Sequence, residues 1–304
     1  EPDIESEGVG VSGAQQWLNK TPYKTGGSGV KVAVIDPGFE GYEELLGSEL
    51  PEQVQFVSFW DNGSDGSGHH GTGCAEIIHD MAPGAELHLV SIDSMLDMDD
   101  ALDYCIANNI DIISISMTYK TTSPGDGTGW LCDLMRRARE HGIIWVKSGG
   151  NDGNKHWDGP PSDPDGDGWI NFQGEDEILG LTSNADNTLI LRLDWEDWGT
   201  WDGQNYSGTD QDFDLYLFYW NGVEWEIVDR ATDLQDGGDL PREWIYDIAD
   251  ADGEYGIGIR RVSGNRPKVS ASRLRKISSR WRGSSLSDSA CSVSEANSSS
   301  SCTR

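Results

Sequence analysis

Positive charge is what this chain lacks most. Against 53 Asp and Glu it carries only 22 Lys and Arg, a formal net charge of −31 over 304 residues. A polyanion of that kind repels phosphate backbones, which excludes nucleic acid as a natural partner. Cysteine is also scarce. Cys74, Cys105, Cys132, Cys291 and Cys302 show no CxxC or zinc-ligand spacing, and five cannot all pair within one chain, so no disulfide framework is implied. No apolar run approaches the roughly 20 residues that cross a bilayer, so no membrane partner is expected. The sequence begins at Glu1 with neither an initiator methionine nor a signal-peptide pattern, and reads as a mature or excised fragment.

What is present falls into three compositions. From Val30 to about Asn151, short apolar runs ("VKVAVID", "ELHLVSI", "IDIISISM", "IIWVKSGGN") alternate with amphipathic stretches ("GTGCAEIIHDM", "MDDALDYCIANN", "WLCDLMRRAREHG"). Near-continuous apolar strands separated by helices predict an α/β fold, a parallel sheet with helices on both faces. In such sheets reactive groups collect beyond the carboxyl ends of the strands, which singles out Asp36 and Asn151.

From about Asn187 to Val262 the period changes to two, with Leu189, Leu191, Leu193 and Trp195 alternating against polar neighbours and Phe213, Leu215, Leu217 and Tyr219 repeating the pattern. Asn221-Gly222 between two such runs predicts a hairpin with a type I′ turn. The segment reads as a small antiparallel β-sandwich. After Gly264 the text turns Ser- and Arg-rich, with 8 of the 22 basic residues and 2 of the 53 acidic ones in residues 265–304. It is expected to be disordered, as either a native basic tail or the product of a frame shift. The expected domains are therefore 1–186, 187–264 and the tail, 265–304.

Three motifs occur in chain order: "AVIDPGF" at Asp36, "HHGTGCAEIIHDMAPGA" at His70 and "VKSGGND" at Asn151. Together they resemble the subtilisin family of serine proteases over about residues 8–170. The resemblance implies a partial subtilisin-like catalytic domain in which His70 is general base and then acid. Asp36 would orient and stabilise its imidazolium, and Asn151 would donate to the oxyanion. His69 competes with His70, but the histidine directly before Gly-Thr matches the family motif.

The same resemblance exposes an absence. The family's nucleophile lies in Gly-Thr-Ser at the start of a helix after the asparagine, and nothing after Asn151 matches it; "YSGTDQ" has Asp210 where the serine should stand. The nucleophilic serine is expected to be absent, the chain to be truncated before that segment with the sandwich as an insertion, and the lone chain to be inactive. The strand around Asp111 to Met117 resembles the one that pairs with polypeptide substrate, with Ser114 and Ser116 on its edge; a buried parallel strand would look the same.

"DPDGDGWIN" places Asp163, Asp165 and Asp167 at positions one, three and five of an EF-hand-like loop, Gly168 at six, the Trp169 carbonyl at seven and Asn171 at nine. Alternate carboxylates suit a hard cation, here a structural Ca2+, although Gly174 stands at position twelve and Glu175 is one residue late. A plain Asp/Gly turn is the other reading. The sandwich, with "DFDLYLF", resembles the prepeptidase C-terminal type of β-domain attached to secreted bacterial proteases, which implies an extracellular location. Three functions stay open: a secreted subtilisin-like endopeptidase, a non-catalytic peptide- or glycan-binding protein, and half of a split protease whose serine arrives on a second chain.

Overall fold

The computed structural model describes residues 6–20, 26–118, 123–150 and 155–262, together with the backbone of 274 and 275. The chain divides into two compact units, Glu1–Lys120 with Leu131–Gly150 and Thr121–Trp130 with Asn151–Arg304. Residues 155–186 lie in the second of these units.

The first unit contains α1 (Glu7–Ser12), α2 (Ala14–Leu18), β1 (Lys31–Asp36), β2 (Gln55–Ser58), α3 (His70–Met81), β3 (Glu86–Ser91), α4 (Met98–Ala107), β4 (Ile112–Ile115), α5 (Trp130–Glu140) and β5 (Ile144–Lys147). Five strands form one sheet in the order β2-β3-β1-β4-β5, and every pairing is parallel. β1 is central, and Val32 through Asp36 are all buried, which is why "VKVAVID" shows no polar alternation. Val34 pairs with Leu89 of β3 on one side and Ser114 of β4 on the other.

The pleat sends successive side chains to opposite faces. Val32, Val34, Leu87 and Leu89 pack with Phe39, Leu50 and Ala75 of α3 in one apolar cluster. His88, on the other face, accepts or donates through Nδ1 to the Tyr104 hydroxyl of α4 at 2.8 Å. Helices therefore flank the sheet. The strand order reverses at β1, since the chain leaves it towards β3 and returns on its far side at β4, so Asp36 at its carboxyl end marks the crevice where such sheets place their chemistry.

The second unit holds β6 (Asp158–Gly159), β7 (Leu179–Ser183), β8 (Thr188–Asp194), β9 (Phe213–Trp220), β10 (Trp225–Ala231), β11 (Arg242–Ile248), β12 (Gly253–Arg261) and β13 (Leu274–Arg275). They form two antiparallel four-stranded sheets, β10-β9-β12-β7 and β11-β8-β13-β6. Leu189, Leu191 and Leu193 of one sheet share a single apolar cluster with Phe213, Leu215, Leu217, Ile257 and Ile259 of the other. Period two is what allows each strand to face that cluster while its alternate residues face out.

The β9–β10 turn differs from expectation. Gly222 alone has positive φ, at 94°, and Asn221 serves instead through its side chain, whose Oδ1 accepts from Val223 N and Glu224 N. The turn is centred one residue later than a type I′ Asn-Gly pair, because the amide side chain already satisfies the backbone that Asn221 would otherwise have to bend around.

Candidate active site

Asp36 is the last residue of β1 and is 1% exposed. One carboxylate oxygen, Oδ1, accepts from Gly38 N at 3.2 Å; the other, Oδ2, lies 2.5 Å from Nδ1 of His70. His70 is the first residue of α3. The start of that helix is held against the loop after β1 by two bonds, Gly71 N to Gly38 O at 2.8 Å and Thr72 Oγ1 to Glu40 O at 3.1 Å. A Cβ on Gly71 would stand 2.6 Å from Gly38 O and 2.7 Å from Cβ of Asp36. Any larger residue would push the helix away from the aspartate. Each member of His-Gly-Thr thus has a local reason: the histidine meets the acid, the glycine permits the approach and the threonine ties it down.

The electrostatics follow. An ionised Asp36 can only accept, so Nδ1 of His70 donates, and in the neutral ring this leaves the Nε2 lone pair available as a base. The hydrogen bond to Asp36 raises the His70 pKa above the ordinary imidazole range; burial opposes this, and the aspartate's charge adds to the rise. The imidazole side chain remains 59% exposed. His69 is 81% exposed, with Nδ1 3.4 Å from Glu40 O, and has no contact with Asp36.

The remaining sequence candidates are scattered. Ser114 is no edge residue: it pairs with Val34 of β1 and with Val146 of β5, so its backbone is closed to an added peptide strand. Periodicity could not show this, because a central and an edge strand share the same apolar text. Ser116 lies beyond the last paired residue of β4 and is exposed. Asn151 lies outside the described residues. Among the described residues no serine hydroxyl is hydrogen-bonded to His70. Cys74, which the sequence reading passed over, lies one helical turn on, and its thiol, Asp36 and His70 offer ligand atoms all within 4.8 Å of one another. Its i, i+4 spacing from His70 was the available signal.

In the second unit Asp163, Asp165 and Asp167 bring carboxylate oxygens within 4.8 Å of one another. Asp163 accepts from Gly166 N and Gly168 N, and Asp167 from Trp169 N. Gly168 has φ of 96°, the sharp bend such a loop needs at its sixth position. Asn171 is 6% exposed.

The profile of the Subtilase family matches residues 27–189. The chain belongs to the subtilase family. The match covers more than half of the sequence and includes Asp36 and His70, so the short hydrogen bond between them lies within the family's own segment. This subtilase is 31% identical over 155 residues to the Minor extracellular protease Epr of Bacillus subtilis (strain 168), an alignment of 44% of this chain and 22% of that protein. The chain therefore spans under a quarter of that relative's length. Two solved structures align at low similarity. A two-domain esterase (CEX) active on acetylated mannans has a TM-score of 0.22 and 8% identity, over 84% of this chain and 92% of that one. A protein from Lactobacillus plantarum has a TM-score of 0.17 and 10% identity, over 77% and 100%. Neither carries an argument about this fold. The subtilase family is one of serine-type peptidases, which are hydrolases.

Proposed function

We propose that this chain carries the acid–base half of a subtilisin-like endopeptidase site acting on polypeptide. The observation behind the reading is the 2.5 Å bond between His70 Nδ1 and the buried Asp36. His70 takes the proton of the attacking hydroxyl through Nε2 and returns it to the leaving amine. Asp36 holds the ring in the required tautomer and stabilises its charged form, and the Asn151 side chain donates to the oxyanion. Ser116, exposed just past β4, contacts the extended substrate. An extracellular setting accords with the relative's description as an extracellular protease.

The nucleophile is not in these 304 residues: no Gly-Thr-Ser segment follows Asn151. Loss of the serine alone costs about 2 × 10⁶ in turnover in subtilisin itself. The lone chain is therefore expected to hydrolyse no peptide and to resist a serine-directed fluorophosphonate probe. Covalent labelling of the purified chain, detected by intact-mass spectrometry, would show that a serine within it is activated and would overturn this reading.

A second reading has support from β5. It ends the sheet among the described residues, and Ile144 and Val146 on it are 60% and 53% exposed. Apolar side chains on a terminal strand suit packing against a further segment, here one carrying the serine on a second polypeptide. Labelling that appears only when such a polypeptide is added supports it. Peptide binding without labelling under any condition favours a purely binding role.

A further inference from the structure

Three side chains around the start of α3 form a donor set that the acid–base pair does not use in full. Asp36, His70 and Cys74 each offer a ligand atom, and these atoms all lie within 4.8 Å of one another. They supply a carboxylate oxygen, an imidazole nitrogen and a thiol sulfur. The only other such group among the described residues, Asp163 with Asp165 and Asp167, offers carboxylates alone. Oxygen suits hard cations, whereas sulfur and imidazole together suit zinc.

The backbone holds the set in place. His70 and Cys74 stand four residues apart on α3, so both lie on one face of the helix. Asp36 meets that face from the end of β1. The bond from Gly38 N to its Oδ1 at 3.2 Å anchors the carboxylate and leaves Oδ2 for the ring and for a cation. Burial differs among the three in a way that fits an open metal site. Asp36 is 1% exposed and Cys74 half-buried, while the His70 side chain, 59% exposed, gives an ion its way in. Cys74 is in no disulfide.

We infer that Asp36, His70 and Cys74 form a binding site for zinc or a similar thiophilic divalent cation, with water as the fourth ligand on the exposed side of His70. Bond lengths of about 2.0–2.3 Å set tetrahedral ligands roughly 3.3–3.7 Å apart. The Asp36–His70 pair, 2.5 Å apart, has to open to that distance, and the exposed ring has the freedom to turn. Cys74 binds as thiolate and releases its proton to solvent. Metal binding and the base role then exclude each other. Coordination through Nδ1 leaves the ring's single proton on Nε2, and coordination through Nε2 uses the lone pair itself, so neither leaves a basic nitrogen. A cation here switches His70 off. That consequence rests on the acid–base reading above; the binding itself does not.

The test uses the full 304-residue chain, reduced, stripped of metal and held in excess Ca2+ to occupy the acidic surface. It is titrated with Co2+, whose absorption reports its ligands. The expected result is saturation at one equivalent, with the visible spectrum of four-coordinate cobalt and a near-ultraviolet thiolate-to-cobalt band, both abolished by Zn2+. One equivalent of Zn2+ should also shift the His70 C–H proton resonances and stop their titration with pH. Cys74→Ser should remove the thiolate band and weaken Zn2+ by about a hundredfold or more. Combined Cys132→Ser, Cys291→Ser and Cys302→Ser should leave both unchanged. Absence of the band in the unsubstituted chain, its survival in Cys74→Ser or its loss in the triple variant overturns the site, as do His70 resonances that ignore Zn2+. Neither readout involves peptide hydrolysis, so failure here leaves the acid–base reading standing, and fluorophosphonate labelling, which would overturn that reading, leaves the metal site standing. Circular dichroism establishes that Cys74→Ser folds, and the Zn2+ titration of His70 in the unsubstituted chain keeps the test available should it not.

Discussion

His70 carries two opposed influences, and the hydrogen bond to Asp36 prevails over burial, so the imidazolium is favoured in the folded chain. Its folded-state pKa lies above the unfolded value. The stabilisation is therefore complete below the unfolded pKa and is lost as pH rises through the folded one. Asp36→Asn removes the charge and the strong acceptor together. The ring should then titrate at lower pH, as followed by the His70 C–H resonances in proton NMR, and a resonance that does not move would mean that Asp36 does not set the charge of the ring. Because the ring is more than half exposed, solvent screening keeps the accompanying loss of stability small. The motif at this residue was legible in the sequence. What it did not disclose is that Gly71 has no room for a Cβ against Asp36, or that Cys74 shares the site.

At the scale of the element, β11 places Glu243 in the second unit's interior, paired with Leu193 of β8 and 2% exposed. Burial pushes its carboxyl up to about 7; Asp233 and Asp214 add to the rise, and hydrogen bonds from Gln235 Nε2 and Asp233 N oppose it. A carboxyl raised on folding is protonated in the native state and ionised in the unfolded one between its ordinary pKa and about 7. Stability falls as pH rises through that window and then levels off. Glu243→Gln should abolish this component, worth about 3 kcal/mol at its full extent. The difference between wild-type and variant denaturation midpoints, measured from pH 5 to about 8, should grow steadily in the variant's favour. A flat difference would mean that Glu243 is solvated or paired in solution. Alternation along β8 and β9 was readable because period two survives wherever one face is buried. The Asn221-Gly222 turn was readable only as a turn, since its centre depended on which backbone groups the Asn221 side chain reached.

Across the whole molecule, a charge of −31 in 304 residues opposes compactness through self-repulsion. Screening at 0.1 M salt already confines charge interactions to about 10 Å. With chelator present to keep divalent ions out of the acidic loop, raising potassium chloride from about 0.05 to about 0.5 M should increase the melting temperature. A decrease would indicate that attractive pairs, such as Arg137 with Asp99 and Asp103, outweigh the repulsion.

The sequence by itself determined the α/β alternation, the change to period two, the approach of acid and base through their motifs, and the spacing of three aspartates in one loop. These are readable because each depends on neighbours along the chain. The tertiary structure decided that Ser114 is enclosed between β1 and β5 and that Gly71 meets Asp36 so closely that no Cβ fits there. Those outcomes depend on which strands become neighbours and how a loop closes. A local residue pattern is compatible with several answers to that; long-range packing selects one.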